Sequence, residues 1–147
     1  MEKTSEIGEV YMMVDINKIS NALTFITNNS MLWIEQVKYD EKYFGNIWIN
    51  LRLSKEIDII FIRDKGDFWC EIGRDKETFL LEDVCNVLGI KDTIECSEFI
   101  DMIYLTSYII IKYSAKIQEG FNDKNFKTTQ KKVSEYATNR ALRKFNL

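Results

Sequence analysis

The sequence predicts an α+β fold with an N-terminal helix, a four-stranded antiparallel meander and then three helices packed on the sheet. Three observations support this class. Between positions 32 and 72, short stretches either alternate apolar with polar residues or are continuously apolar. Two of these stretches are joined by Asp64-Lys65-Gly66, which suits a hairpin loop. After Gly73, apolar residues recur with the spacing of amphipathic helices.

The length and composition predict a single globular domain over residues 1–147. The chain has 147 residues, of which 46% are hydrophobic. A chain of this size and apolar content can bury one core and is unlike a disordered segment. It contains no proline and six glycines, which argues against linker-rich or collagen-like architectures.

The N-terminal part of the chain is predicted to hold one helix and one edge strand. Residues 1–10 are polar and are predicted to be frayed, and Asp15 is a suitable cap for the helix that follows. Residues 32–39 alternate weakly and carry charges, which suits an edge strand, and residues 40–44 make a charged connection. The apolar face of the helix holds Ile16, Ile19, Leu23 and Ile26.

The next three strands form the rest of the predicted sheet. Residues 45–53 alternate cleanly between apolar and polar side chains. Residues 57–63 are apolar on both faces, which indicates a central strand that is covered at least partly on each side. Residues 67–72 alternate again and are predicted to form the fourth strand.

The lengths of the two turns set the predicted register of this sheet. The three-residue hairpin loop pairs Phe61 with Trp69. A two-residue connection at Lys55-Glu56 pairs Ile49 with Ile62. This even-length connection is preferred over an odd-length one because it gathers an apolar set on one face. The predicted core face holds Ile49, Leu51, Ile60, Ile62, Phe68, Cys70 and Ile72.

Three helices are predicted after the sheet. The first covers 81–88 and ends at Gly89, because glycine readily adopts the left-handed conformation of a helix stop. The second is long and covers 97–119, with a serine as its cap. The third begins at Thr128 or Thr129 and runs almost to the end of the chain.

Charge is distributed unevenly along the chain, although the net charge is only −3. Residues 1–101 carry 20 acidic and 11 basic side chains, whereas residues 102–147 carry 3 acidic and 9 basic ones. An acidic body favours basic partners and repels nucleic acid. The basic C-terminal helices are predicted to present a solvated face, and phosphate binding by that face is the alternative.

The sequence predicts a cytoplasmic protein that does not enter a membrane. Cys70 and Cys85 lie among apolar residues and are predicted to be buried thiols, which fits a reducing compartment. There is no secretory signal pattern. The longest apolar stretch, 99–111, is shorter than the roughly 20 residues that span a bilayer.

The chain contains no histidine, which removes the commonest general base and the commonest metal ligand. No phosphate-binding glycine motif and no calcium-loop motif is present. We therefore predict a protein that is not an enzyme, with no catalytic residue, no metal and no cofactor. An enzyme that works with carboxylates alone is the alternative.

The second face of the predicted sheet is the candidate binding surface. Its first predicted row places Trp48 beside Arg63 and Asp67, and aromatic rings mixed with arginine and carboxylates are typical of protein-binding hot spots. The alternative is that a helix covers this face, so that Trp48 and Trp69 belong to the core. The candidate partner-binding residues are Trp48, Arg52, Arg63, Asp67, Trp69 and Glu71.

The central hairpin and the segment after it carry a family resemblance. One strand ends in Arg63-Asp64-Lys65-Gly66, the next ends in Glu71-Ile72-Gly73, and a short helix then opens with Leu81-Glu82-Asp83. This order resembles the small bacterial immunity proteins of polymorphic toxin systems. The resemblance covers about a third of the chain and transfers no functional residue.

The resemblance implies a cytoplasmic, non-enzymatic protein that neutralises a cognate toxin domain by binding it and covering its active site. The acidic body fits this role, because many toxin domains are basic nucleases and complementary charge speeds encounter. The alternative is a nucleic-acid-associated regulatory module that uses the basic C-terminal helices, including Lys131 and Lys132. The oligomeric state stays open, because an edge strand can pair with another copy.

Overall fold

The computed structural model describes residues 2–40 and 45–145. The fold is α+β with an antiparallel sheet, as predicted, and in these ranges it has five strands and five helices. The strands lie side by side in chain order. The elements are α1 (Glu2–Asn28), β1 (Trp33–Asp40), β2 (Asn46–Arg52), β3 (Asp58–Asp64), β4 (Asp67–Arg74), β5 (Glu77–Leu80), α2 (Leu81–Leu88), α3 (Phe99–Lys112), α4 (Ser114–Gly120) and α5 (Phe126–Lys144).

Helix α1 begins earlier than predicted. It starts at Glu2, so the residues expected to be frayed are helical from that point, and Met1 lies outside the described residues. Asp15 therefore lies inside the helix, and its carboxylate pairs with Arg63 of β3 instead of capping the first turn. The predicted apolar face is confirmed for Ile19, Leu23 and Ile26, which are buried, while Ile16 is exposed.

The hydrophobic core lies between one face of the sheet and the helices. Residues from all five helices and from the three central strands share one buried cluster. The strand residues with no exposed surface are Ile49 and Leu51 of β2, Ile59 and Phe61 of β3, and Ile72 of β4. Burial of these large side chains is the main stabilising contribution to the fold.

Strand β3 is turned over relative to the prediction. Ile49 pairs with Phe61, and Phe61 pairs with Cys70, so the predicted pairs Ile49–Ile62 and Phe61–Trp69 are wrong. Ile59 and Phe61 face the core, whereas the sequence placed Ile60 and Ile62 there. The core side predicted for β2 and β4 is confirmed, because each error of one residue in a turn inverts the facing of the next strand and two inversions restore it. The alignment of β4 with β2 is nevertheless shifted by two residues, so that Ile49 lies in line with Cys70 and not with Phe68.

The orientation of β3 was predicted wrongly because both turns that flank it differ by one residue from their predicted lengths. The β3–β4 hairpin has only Lys65 and Gly66 between its paired ends, and both have positive φ, 53° and 88°. This is the pattern of a two-residue type I′ turn. Between β2 and β3, Leu53 N–H donates to the Ile57 carbonyl at 3.1 Å, so the loop that this pair closes has three residues, 54–56. The predicted connection between β1 and β2 falls mostly on 41–44, outside the described residues.

The fifth strand was not predicted. Strand β5 follows the turn Asp75-Lys76, in which both residues have positive φ, 54° and 67°. The strand crosses so close to β4 that a Cβ on Gly73 would lie 2.4 Å from the Glu77 carbonyl oxygen. Only glycine fits at that position, because the nearest atom belongs to the backbone and cannot move aside alone.

Arg74 joins the β4–β5 hairpin to the connection between α4 and α5. Its guanidinium donates to the Phe121 carbonyl at 2.5 Å, pairs with Asp123 and lies 5.6 Å from the centre of the Phe126 ring. The hydrogen bond with Asp123 is the main reason why the pKa of Arg74 is raised. An arginine is charged at any physiological pH, and these contacts hold three segments together: the β4–β5 hairpin, the α4–α5 connection and the start of α5.

The helices after the sheet differ from the prediction in their limits. Helix α2 and its glycine stop are confirmed, and Ile90 N–H donates to the Cys85 carbonyl at 2.8 Å. Helix α3 begins at Phe99 without a side-chain cap, so the predicted cap at Ser97 is wrong. The predicted long helix bends at Tyr113 (φ −107°, ψ 23°), and the bend keeps the following helix, α4, on the core.

Helix α5 also begins before the predicted threonine cap. It starts at Phe126. The Thr129 hydroxyl donates to the Gly120 carbonyl at 2.7 Å, so this hydrogen bond satisfies a carbonyl group at the end of α4. Within the described ranges, none of the helices combines the length and the apolar character that crossing a lipid bilayer requires.

An ion pair between Asp83 of α2 and Arg140 of α5 links these two helices. The Asp83 side chain is 4% exposed. Burial raises the pKa of this carboxyl, and the charge of Arg140 opposes that rise. A group whose pKa is higher in the folded protein holds its proton there when the unfolded chain has lost it, so its contribution to stability falls as pH increases.

We expect Arg140→Gln to lower the free energy of unfolding by about 1–3 kcal/mol at pH 7, because it leaves a buried carboxylate uncompensated. The loss should shrink as pH falls below the raised pKa of Asp83, since the protonated acid no longer needs the cation. Urea unfolding at several pH values measures both effects. Arg143→Gln is the matched control, because within residues 2–40 and 45–145 the Arg143 side chain donates to the Asn139 carbonyl of its own helix and to no other element. A loss that does not change with pH would contradict this account.

Candidate functional site

One face of the sheet lies away from the helices. The side chains that alternate with the core residues point to this side, and none of them belongs to the core cluster. Even Ile60, which is only 8% exposed, is outside that cluster. We call this surface the open face. It comprises Trp33, Glu35, Gln36, Lys38, Asp40, Asn46, Trp48, Asn50, Arg52, Asp58, Ile60, Ile62, Asp64, Asp67, Trp69 and Glu71.

A row of large side chains crosses the middle of the open face. Trp48 pairs with Ile62, and Ile62 pairs with Trp69, so the three stand side by side on β2, β3 and β4. All three are half-buried. Lys38 of β1 continues the row, and its ammonium group lies 5.1 Å from the centre of the Trp48 ring. Cation–π contact at this distance is attractive. The row is a continuous apolar strip with a cation at one end.

Hydrogen bonds and ion pairs fix the polar side chains around this strip. The Trp69 indole donates to Glu71 Oε2 at 2.7 Å. Arg52 Nε lies 3.1 Å from Asp58 Oδ1 and 3.7 Å from a carboxylate oxygen of Glu35. Exposed ion pairs of this kind add only about 0–1 kcal/mol to stability. Their main consequence is that the side chains around the apolar strip are held in defined positions.

The open face is acidic. It carries six carboxylates and two cations, and Arg52 is already paired with two of the carboxylates. Clustered charge of one sign raises the local concentration of oppositely charged partners. The face therefore favours a positively charged partner. Its acidic residues are Glu35, Asp40, Asp58, Asp64, Asp67 and Glu71.

The surface has shallow depressions, one of which lies beside the open face. This depression, of about 430 Å³, adjoins Trp48 and Ile62 at the end of the apolar strip, next to Lys38. Another, of about 560 Å³, lies at the start of α3 and is lined by Glu95, Cys96, Ser97, Asp101, Tyr104 and Leu105. Both are wide open to solvent. Only the first is continuous with the open face.

Five of the six predicted binding residues lie on the open face. Trp48, Arg52, Trp69 and Glu71 surround its centre, and Asp67 is exposed at the hairpin end. The prediction that Arg63 stands in their first row is wrong. Since β3 is turned over, its side chain points to the helices.

Arg63 instead connects three segments behind the sheet. Its guanidinium donates to the Gly45 carbonyl at 2.8 Å and pairs with Asp15 of α1. It also lies 5.1 Å from the centre of the Phe99 ring at the start of α3. These contacts hold α1 and α3 against β3, so Arg63 acts in the fold and does not reach a partner on the open face.

Sequence reasoning missed Lys38, Ile60, Ile62 and Trp33 as members of this surface. Ile60 and Ile62 could have been placed on the open face if the β3–β4 turn had been recognised as a two-residue turn, because its length decides which face of β3 they occupy. Lys38 and Trp33 depend on the register of β1, which carries an extra residue between Ile34 and Gln36. That irregularity leaves no clear trace in the alternation of the sequence.

The basic helix α5 lies on the helical side of the molecule. Its exposed cations face solvent, whereas Arg140 pairs with Asp83 of α2. The exposed cations are Lys127, Lys131, Lys132, Arg143 and Lys144. The acidic open face and the basic helix are therefore two separate charged surfaces.

The cysteines are placed as buried or half-buried thiols. Cys70 and Cys85 are buried, as predicted, and Cys96 is half-buried. Burial raises the pKa of Cys70 well above its usual value and that of Cys85 to about 11. Both stay protonated near neutral pH and are poor nucleophiles. Among residues 2–40 and 45–145, no group of three or more cysteines and carboxylates is placed to hold a metal ion.

Comparison of the chain with known protein families, with curated proteins and with solved structures gave no match.

Proposed function

We propose that this chain is a non-enzymatic binding protein that takes a protein partner on its open face. The strongest support is the row Trp48–Ile62–Trp69, which crosses the face away from the core. Large rigid rings bury much area at little entropic cost, and tryptophan is enriched among residues that dominate binding energy. The ordered polar side chains around the row fit the polar rim of a protein interface.

We further propose that the partner is a basic toxin domain and that the chain is its immunity protein. The six carboxylates of the open face would attract such a partner and speed encounter. The resemblance of the central hairpin to immunity proteins of polymorphic toxin systems supports the same role. Neutralisation then follows from covering the active site of the toxin.

The test is to purify the chain together with the C-terminal domain of the protein encoded immediately upstream. Binding measured by calorimetry should coincide with loss of the toxic activity of that domain. The association rate should fall as salt increases, because the attraction between opposite charges is screened. A chain that neither binds the upstream domain nor protects cells from it would end the proposal.

Nucleic-acid binding by α5 is the second candidate function. Its support is the set of exposed cations on α5, which are separate from the acidic face. It predicts binding to DNA or RNA that weakens steeply with salt and that the double change Lys131→Glu and Lys132→Glu reduces. Absence of binding at low salt would eliminate this candidate.

A further inference from the structure

Strand β1 forms one edge of the sheet. It is the first strand in the order of the sheet, and in the described part of the chain no strand pairs with its outer edge. All of its residues except Tyr39 are exposed. An edge of this length presents a row of backbone donors and acceptors to a further strand.

Among the residues whose side chains the structure describes, the helices leave part of the core-side surface of β1 open. Ile34 pairs with Leu51, and Val37 pairs with Ile49, so both side chains point to the side that carries the core. Leu51 and Ile49 have no exposed surface, whereas Ile34 and Val37 are each 43% exposed. Ile34 and Val37 therefore form an apolar patch at the edge of the core that is open to solvent, which we call the edge patch.

We propose that a second copy of this chain pairs with β1, antiparallel and around a two-fold axis at Val37, to form one continuous ten-stranded sheet. In such a pair, opposite residues must lie on the same face of the sheet. An axis at Val37 satisfies this condition. Val37 of one copy then contacts Val37 of the other, and Lys38 stands opposite Gln36.

The alternative positions of the axis are worse. An axis at Lys38 places two ammonium groups opposite each other, which is destabilising. An axis at Gln36 also keeps equal faces together once the extra residue Glu35 is passed over, since Val37 then stands opposite Ile34. It pairs only residues 33–38, whereas the axis at Val37 pairs the whole strand, 33–40. An axis at Tyr39 leaves only a short overlap within the strand.

A second copy fits this edge because the edge is complementary to itself. With the axis at Val37, the extra residue Glu35 lets Ile34 of one copy meet Tyr39 of the other on the core side. Each copy thus covers the edge patch, Ile34 and Val37, of the other copy. On the opposite face, Lys38 of one copy comes next to Glu35 of the other, which adds an attraction between opposite charges.

This proposal does not depend on the function of the open face. The contact lies at the edge of the sheet, whereas the apolar strip of the open face runs across its centre. Both open faces would lie on the same side of the joined sheet. The interface consists mainly of one strand from each copy, so association should depend on protein concentration.

Analytical ultracentrifugation of the isolated chain over a range of concentrations tests the proposal. We expect a monomer–dimer equilibrium that Val37→Lys abolishes, because the substitution places two like charges on the axis. Leu80→Lys is the matched control, since Leu80 is 36% exposed on β5 at the other edge. It should leave the equilibrium unchanged. Circular dichroism verifies that both variants are folded.

A cross-link tests the register without adding a charge. In a Cys96→Ser background, Val37→Cys should form a disulfide between two copies under mild oxidation, and Thr78→Cys on β5 should not. A chain that is monomeric at its highest soluble concentration would overturn the proposal, and so would a dimer that Val37→Lys leaves intact. A monomer whose binding to another protein is weakened by Val37→Lys would also overturn it, since that edge would then accept a strand of the partner.

Discussion

Replacement of Phe61 by alanine is expected to lower the free energy of unfolding by about 3–5 kcal/mol. Phe61 has no exposed surface and stands at the centre of the sheet, between Ile49 on β2 and Cys70 on β4. Its removal takes away buried apolar area and leaves a cavity that strands on both sides prevent from closing. Urea unfolding followed by circular dichroism measures the loss.

The control is Ile62→Ala, one position further along the same strand. Ile62 lies half-buried on the open face, so its truncation should cost no more than about 1 kcal/mol. The two variants therefore report which side of β3 faces the core. A larger loss for Ile62→Ala than for Phe61→Ala would show that β3 has the opposite orientation.

Replacement of Trp69 by alanine is expected to weaken binding of the protein partner by at least about 2 kcal/mol, or roughly 30-fold. Trp69 ends the apolar row, and its indole is held by Glu71 at 2.7 Å. Its ring is therefore already oriented before binding. A side chain fixed in this way loses little entropy when a partner covers it. Calorimetric titration with the upstream toxin domain measures the change.

The matched control is Tyr108→Ala, which removes another large ring. Tyr108 is 61% exposed on α3, on the helical side of the molecule. Its removal should leave the affinity unchanged. Equal losses from the two substitutions, or a loss only for Tyr108→Ala, would mean that the partner does not bind the open face.

The orientation of β3 could not be predicted, because the strand is apolar on both faces. Ile59, Ile60, Phe61 and Ile62 are consecutive, so alternation does not distinguish the core side from the open side. Only the turns decide it. A two-residue type I′ turn usually carries Asn-Gly or Asp-Gly, and here Lys65 occupies the first position with φ 53°. The residue type therefore indicated a longer loop.

The fifth strand was missed for the same physical reason. Its turn places Asp75 and Lys76 at positive φ, where residues other than glycine are uncommon. Strand β5 itself is short and largely exposed, so it has almost no apolar alternation. The requirement for glycine at position 73 is visible only when the approach of the Glu77 carbonyl is known.

Elements with a strong local signal were predicted well. Helix α2 has both an apolar face and a glycine stop, and its limits agree with the prediction. The clean alternation of β2 and β4 placed Trp48 and Trp69 on a common face. Arg63 was misplaced because its position depended on the turns. Its three partners lie on α1, the β1–β2 connection and α3, which no local pattern connects.

The most direct test of the central claim is fluorine NMR of the chain labelled with 5-fluorotryptophan. Its three tryptophans, Trp33, Trp48 and Trp69, all lie on the open face, so each resonance reports on that surface. Single Trp→Phe variants assign the signals. On addition of the unlabelled toxin domain, the resonances of Trp48 and Trp69 should shift. Formation of the complex with both resonances unchanged would contradict the claim that the partner binds the open face.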